Sequence, residues 1–264
     1  MTPEEIEKRL AFARAVAEDA GKIALRYFRQ PLEVENKLEG EQFDPVTRAD
    51  REVEAEIRQK LGEAYPDDSI IGEEAGTSEG SSDIAWIIDP IDGTRAFISG
   101  VPAWGTLLGL MESDNCVGGL MHQPYIGETF VGGPSGAFLY RQGQQTALRS
   151  RQGATLGDAI LYCTHPNHFE SEADLAGFQR VAEASRLYRF GGDCYSYCLL
   201  AQGQIDLVIE GGLQPYDIIP LIPLIEAAGG VVTDRDGRPA TKGGLIVAAA
   251  NARLHAEALA LLNG

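Results

Sequence analysis

Apolar side chains recur at spacings of three and four through the first part of the chain: Ile6, Leu10, Ala13, Ala17, Ala20, Ala24 and Tyr27. That period predicts an amphipathic helix over residues 2–28. Thr2 and Glu5 supply a capping box, and Pro3 suits the first turn. Residues 31–44 lack any period and read as irregular. A second helix is expected from about Thr47 to Tyr65, with Val53, Ile57 and Leu61 on one face. Asp50 sits near that same face, so its carboxylate points inward from the first turn. Two short strands, Ser69–Glu73 and Ala85–Asp89, each end in acid. Trp104–Glu112, Cys116–Gln123, Glu128–Gly132 and Ala137–Arg141 read as successive strands of an antiparallel sheet, with glycine-rich turns between them.

Beyond about residue 150 the pattern changes. Strands at Ile160–Thr164, Leu187–Phe190, Asp206–Glu210, near Val231 and at Leu245–Ala249 are interleaved with helices near Ser171–Ala184, from Asp193, near Asp217–Ala228 and at Ala252–Leu262. Pro220 fits the first turn of the third of these helices, but Pro223 should kink it or start a new one. Residues 1–150 therefore read as an α+β half and residues 151–264 as an α/β half. No repeat, low-complexity tract or linker separates them, so the halves are expected to pack as one unit with a site between them.

Composition narrows the function. The 264 residues are 44% hydrophobic, enough to bury a sizeable core. No window has the ~20 apolar residues of a membrane span, and the acidic start is unlike a signal peptide, so a cytoplasmic location is expected. The four cysteines, Cys116, Cys163, Cys194 and Cys198, are expected as reduced thiols. A net charge of −17 disfavours nucleic acid and anionic membranes as partners. An acidic protein that takes an anionic substrate needs local positive charge, from metal ions or helix N-termini.

Candidate chemistry begins at Asp89-Pro90-Ile91-Asp92-Gly93-Thr94. An apolar strand ending in two acids is costly unless something compensates them. Asp89 and Asp92 can converge on one hard cation, with the Ile91 carbonyl as a neutral ligand. Gly93 and Thr94 then open a short helix, Thr94–Ile98, whose first N–H groups can face a phosphate. Taken alone, the fragment reads equally well as an acidic turn. Glu73 ends the neighbouring strand, Asp217 begins a helix in the other half, and Asp50 can join from the second helix. Five carboxylates without clustered histidines or cysteines favour magnesium or manganese over zinc. Cys163, His165 and His168 form a short cluster that reads as incidental or as a zinc site.

The whole set resembles the signature of the inositol monophosphatase superfamily. It comprises Gly72-Glu73-Glu74, Trp86 to Thr94, Tyr216-Asp217, the upstream Asp44-Pro45-Val46-Thr47-Arg48-Ala49-Asp50 and the late Glu226-Ala227-Ala228-Gly229-Gly230. The resemblance implies the layered α-β-α-β-α sandwich of the inositol monophosphatase and fructose-1,6-bisphosphatase type. It also implies two or three Mg2+ ions, with Mn2+ as a substitute, and a homodimer. It assigns Glu73, Asp89, Ile91, Asp92 and Asp217 to metal, Gly93 and Thr94 to phosphate, Glu73 and Thr94 to the attacking water, and Asp50, as a further catalytic group, to metal-bound water or a further ion.

Three further segments resemble the histidinol-phosphate phosphatase branch: Asp92 to Gly100 followed by Trp104-Gly105-Thr106-Leu107; Gly192-Asp193-Cys194-Tyr195-Ser196-Tyr197; and Asp206 to Glu210 with Pro215 to Ile218. They imply a phosphomonoesterase acting on L-histidinol phosphate, with Arg95, Trp104, Asp193 and Glu210 facing the alcohol. Two carboxylates suit an ammonium and an imidazole N–H. Each residue also has a structural reading: Asp193 as a helix cap, Trp104 as core, Arg95 as a surface residue. Glu210 alone suits inositol equally. Inositol monophosphatase is the second reading and a 3'-nucleotide phosphatase the third. A non-catalytic metal- or phosphate-binding regulator is the fourth, disfavoured by the presence of both Glu73 and Thr94.

Overall fold

The structure, a computed structural model, describes residues 1–31, 34–36 and 45–264. The segment expected to be irregular falls largely outside these residues, as does Asp44 of the upstream motif. The first helix, α1 (Pro3–Tyr27), starts with the expected box: Thr2 caps Glu5, and the Glu5 side chain returns to the Thr2 backbone. After strands β1 (Val34–Asn36) and β2 (Pro45–Thr47) comes α2 (Arg48–Ala64). Strands β3 (Ser69–Gly72), β4 (Gly76–Ser78) and β5 (Ile84–Asp92) follow, then α3 (Thr94–Ser99). Strands β6 (Gly105–Glu112), β7 (Asn115–Gln123), β8 (Glu128–Gly133), β9 (Gly136–Arg141) and β10 (Gln144–Ala147) form a meander. Together β3–β10 make an eight-stranded sheet in the order β10-β9-β8-β7-β6-β5-β3-β4, antiparallel except for the β3–β5 pair. β4 and β10 were absent from the sequence reading; both are short and fully exposed, so they carry no apolar alternation.

The second sheet has the order β12-β11-β13-β15-β14. It is built from β11 (Ile160–Cys163), β12 (Leu187–Phe190), β13 (Leu207–Leu213), β14 (Val231–Asp234) and β15 (Gly244–Ala249), with α4 (Glu172–Ala184), α5 (Asp193–Ala201) and α8 (Ala252–Asn263) between or after them. The single helix expected over Asp217–Ala228 is instead α6 (Pro215–Ile218), a 3-10 turn at Ile219–Leu221 and α7 (Ile222–Ala227). Pro220 and Pro223 each fall in the first turn of a new segment, where the missing N–H costs nothing.

Side-chain alternation sorts these elements into layers. Leu108 and Leu120 pack with Leu10, Ala13, Val53 and Ile57 in one core, under α1 and α2. Leu107, Met121 and Phe130, on the opposite face of the same sheet, pack with α5, α7 and the Val208, Ile246 and Ala248 side of the second sheet. Leu161, Leu207 and Val247 face outward to α4 and α8. The order α-β-α-β-α follows. No helix among the described residues is long and apolar enough to cross a membrane, and all four cysteines are free thiols.

Candidate active site

Asp89 and Asp92 are three residues apart, and a regular strand would send them to opposite faces of the sheet. β5 is irregular between them in its pairing with β6, and the one extra residue brings both carboxylates to one side. Asp89 Oδ1 accepts the Ile91 N–H at 3.0 Å, and Thr106 Oγ1 donates to the Pro90 carbonyl at 2.9 Å, holding the turn. Asp217 arrives from the first turn of α6, where one of its oxygens accepts the Gln214 N–H at 2.7 Å. One oxygen each from Asp89, Asp92 and Asp217 lies within 4.8 Å of the other two. Among the described residues this is the one group of acids, histidines or cysteines so placed, so Cys163, His165 and His168 do not form a ligand set.

Burial, and then the charges of Glu73, Asp92 and Asp217, push the Asp89 carboxyl well above the usual range. Burial followed by Asp217 and Asp193 does the same to Asp92, and Asp217 rises to about 7, mainly through burial. An all-oxygen cluster, Asp89 buried and Asp92 and Asp217 half-buried, whose charges repel one another fits a hard divalent cation, which would offset both the repulsion and the desolvation. Glu73 lines the same side of the cleft and adds its charge to the group. Asp50 departs from expectation. It is buried within reach of the Glu73 charge, its Oδ2 accepts the Thr47 N–H at 2.8 Å and the Thr47 hydroxyl at 2.6 Å, and it is not among the side chains lining the cleft. The cap of α2 claims one of its oxygens, because Asp50 is the N3 residue of a capping box. Burial raises its pKa to about 6.

Asp92 and Asp217 open onto a cleft of about 700 Å³, the size of a small-metabolite site, and they share with Asp89 and Glu73 an adjoining hollow of about 570 Å³. Gly93 sits at its floor with φ +83°, a left-handed conformation that favours glycine. A Cβ there would lie 3.0 Å from the Asp193 Cβ and 3.2 Å from the Trp104 Cα. The Thr94 hydroxyl donates to the Ile91 carbonyl at 3.1 Å. Trp104 does not reach the cleft. It is fully buried in an aromatic cluster with Phe28 and Phe97, so the structure replaces its expected contact with the alcohol by support for the backbone behind Gly93.

Asp193 and Glu210 both line the cleft. Gly192, not Asp193, is the N-cap of α5, and no side chain caps it, so the capping role fails. Asp193 has φ +42°, a strained conformation for a residue with a side chain. Burial raises its pKa to about 6, against the pull of Arg95. Glu210 is fully buried. Thr164 donates its N–H at 2.9 Å and its hydroxyl at 2.5 Å to Oε1, and the Tyr197 hydroxyl donates to Oε2 at 3.1 Å. Burial pushes this carboxyl up to about 8 despite those bonds. Arg95 lies at the cleft mouth, its Nη1 2.9 Å from His168 Nε2.

A sequence profile of the inositol monophosphatase family matches residues 5–263. The chain belongs to the inositol monophosphatase family. It is 36% identical to a histidinol-phosphatase of Streptomyces coelicolor, over 97% of this chain and 96% of that one. It is 37% identical to the bifunctional phosphatase IMPL2 of Arabidopsis thaliana over 89% of this chain, and that match spans 66% of the plant protein's length. Among solved structures, an inositol monophosphatase from Zymomonas mobilis superposes with a TM-score of 0.85 at 35% identity, with 98% of each chain covered. In this member of the inositol monophosphatase family, Thr164, Asn167 and Gln214 join the cleft wall without having been singled out from the sequence, His168 joins it after being read only as part of a cysteine–histidine cluster, and Tyr197 after being quoted only within a segment. Thr164 and Tyr197 had a signal, since one ends a strand beside Glu210 and the other lies one turn after Asp193. The Cys194 N–H had none: it donates to Asp92 Oδ2 at 2.9 Å across 102 residues.

Proposed function

We propose that this phosphatase hydrolyses L-histidinol phosphate to L-histidinol and phosphate with magnesium, as a late step of histidine biosynthesis in the cytoplasm. The observation that carries this reading is the pair Asp193 and Glu210 on the cleft wall beside the Gly93 turn. Glu210 is buried and Asp193 half-buried, and both have raised pKa values, so each gains by meeting a cation. Histidinol phosphate brings two cationic or N–H-bearing groups on its alcohol side, an ammonium and an imidazole.

Asp89, Asp92, Asp217, Glu73 and the Ile91 carbonyl would hold the metal. When bound, the divalent ions supply Lewis-acid charge that acidifies the attacking water and neutralises the leaving oxygen. The backbone at Gly93 and Thr94 binds the phosphoryl oxygens. Glu73 accepts the proton of the attacking water, and Thr94, with its hydroxyl donated to Ile91, offers that water a lone pair. Arg95 at the mouth of the cleft moderates the charge of Asp193. The full chain is proposed to act as a homodimer, through the exposed apolar side chains of β12 (Leu187, Tyr188 and Phe190), and sedimentation of Tyr188→Asp tests that face.

Inositol 1-phosphate is the second reading, favoured by a solved relative at almost the same identity as the histidinol-phosphatase. Phosphate release from the two esters with magnesium separates them. A kcat/KM at least about tenfold higher for histidinol phosphate, about 1.4 kcal/mol in transition-state binding, is expected. A preference for inositol phosphate would remove the substrate assignment and leave the phosphatase chemistry intact.

A further inference from the structure

Helix α2 carries two acids one turn apart on its buried face, Asp50 and Glu54. Asp50 turns back to cap the helix with Thr47; Glu54 points elsewhere. Only 1% of Glu54 is exposed, and its carboxylate is fully engaged. Oε2 accepts the Glu74 N–H at 2.8 Å. Oε1 accepts the Ala75 N–H at 3.0 Å and Arg58 Nε at 2.7 Å. Arg58 continues outward, donating through Nη1 to Ser78 Oγ at 3.2 Å and through Nη2 to the Gly76 carbonyl. These contacts grip Glu74 and Ala75, which with Glu73 connect β3 to β4, and β4 itself. On the other side the Glu73 N–H donates to the Ile88 carbonyl of β5 at 3.2 Å. The backbone around Glu73 is thus tied both to the strand that carries Asp89 and to the helix that carries Asp50. Gly72 shows how close the grip is: a Cβ there would lie 2.3 Å from Glu54 Oε1 and 2.7 Å from Arg58 Nη2.

We propose that Glu54, held by Arg58, is a positioning residue that sets Glu73 for metal binding. The proposal rests on the reading of Glu73 as a metal ligand. A buried acid–base pair commonly adds little stability over well-packed apolar side chains. What this pair adds is a fixed backbone: three donors converge on one carboxylate, two of them the N–H groups directly after Glu73. Partners one step behind a metal ligand commonly change metal affinity by about 10- to 100-fold.

Glu54→Gln tests this in the full chain. The isosteric amide must turn an NH2 toward Arg58 and a backbone N–H or toward the other N–H, so donor faces donor and the connection shifts. Mn2+ and Mg2+ affinity is measured by calorimetry, and the thermal midpoint is measured without metal. The expected result is affinity weakened about 10-fold or more. Glu73→Gln should also weaken it, and the double variant should bind no more weakly than Glu73→Gln alone, because Glu54 acts through Glu73. A lowered midpoint with wild-type metal affinity, or additive losses in the double variant, would overturn the proposal and leave Glu54 a structural buttress. If Glu73→Gln itself leaves affinity unchanged, the ligand assignment falls and the proposal falls with it. If Glu54→Gln does not fold, Arg58→Lys replaces it: the charge is kept, the fork to the hairpin is lost, and severalfold weaker affinity is expected. Wild-type affinity in that variant overturns the proposal.

Discussion

Replacing Glu210 by glutamine removes a charge and keeps the shape. In the ligand-free protein its carboxyl is pushed up to about 8 by burial, so near neutral pH it is largely protonated. An ammonium or imidazolium placed against it stabilises the ionised form and draws the pKa down, so binding a cationic alcohol releases a proton. The amide can still accept from Thr164 and meet the Tyr197 hydroxyl, both of which now bind the carboxyl. What it cannot give is the charge-assisted bond, worth about 1.5–3 kcal/mol. That is about a 10- to 150-fold loss of kcat/KM at about 1.4 kcal/mol per decade. The loss should fall on histidinol phosphate, whereas inositol 1-phosphate, which offers neutral hydroxyls, should lose much less. Steady-state kinetics of both esters with both proteins, across pH 6–9, make the comparison. Equal losses for the two substrates would refute charge recognition by Glu210 and reduce it to a neutral hydrogen-bond acceptor.

Two other outcomes follow from the same site. Asp50, Asp193, Asp217 and Glu210 have folded pKa values of about 6, 6, 7 and 8, above the ordinary carboxyl range. Between about pH 4.5 and 8 the folded state holds protons that the unfolded state has lost, so these groups make the metal-free protein less stable as pH rises. Thermal midpoints should therefore fall across that window without metal, and saturating Mg2+ should flatten the slope; a rising midpoint would contradict the assignment. Gly93→Ala forces a Cβ into a left-handed residue 3.0 Å from Asp193. It should cost about 1–2 kcal/mol of stability by denaturant unfolding and weaken competitive inhibition by phosphate.

Much of this was legible in the sequence because it is local. The capping box at Thr2, the apolar stripes of α1 and α2 and the apolar runs of β6–β8 between glycine-rich turns each follow from neighbours within a few residues. Asp89 and Asp92 were legible for a different reason, since acids ending an apolar strand demand a counter-charge, and Asp217 was legible through the family motif it matches. What was not legible depends on packing across long separations. Trp104 could be core or site, and only the cluster with Phe28 and Phe97 decides for core. Asp50 faced inward as expected, but its cap with Thr47 places it behind the cleft wall. The grip of Glu54 on Glu74 and Ala75 joins residues 20 and 21 positions apart in different elements, and nothing in either segment announces it.

The most direct test of the account is a crystal structure grown with Mn2+, phosphate and L-histidinol, in which anomalous scattering locates the metal. The account predicts metal held by Asp89, Asp92 and Asp217 with Glu73, phosphate on the backbone of Gly93 and Thr94, and the amine and imidazole of histidinol against Asp193 and Glu210. Metal bound away from the three aspartates, or histidinol turned away from both acids, would contradict it.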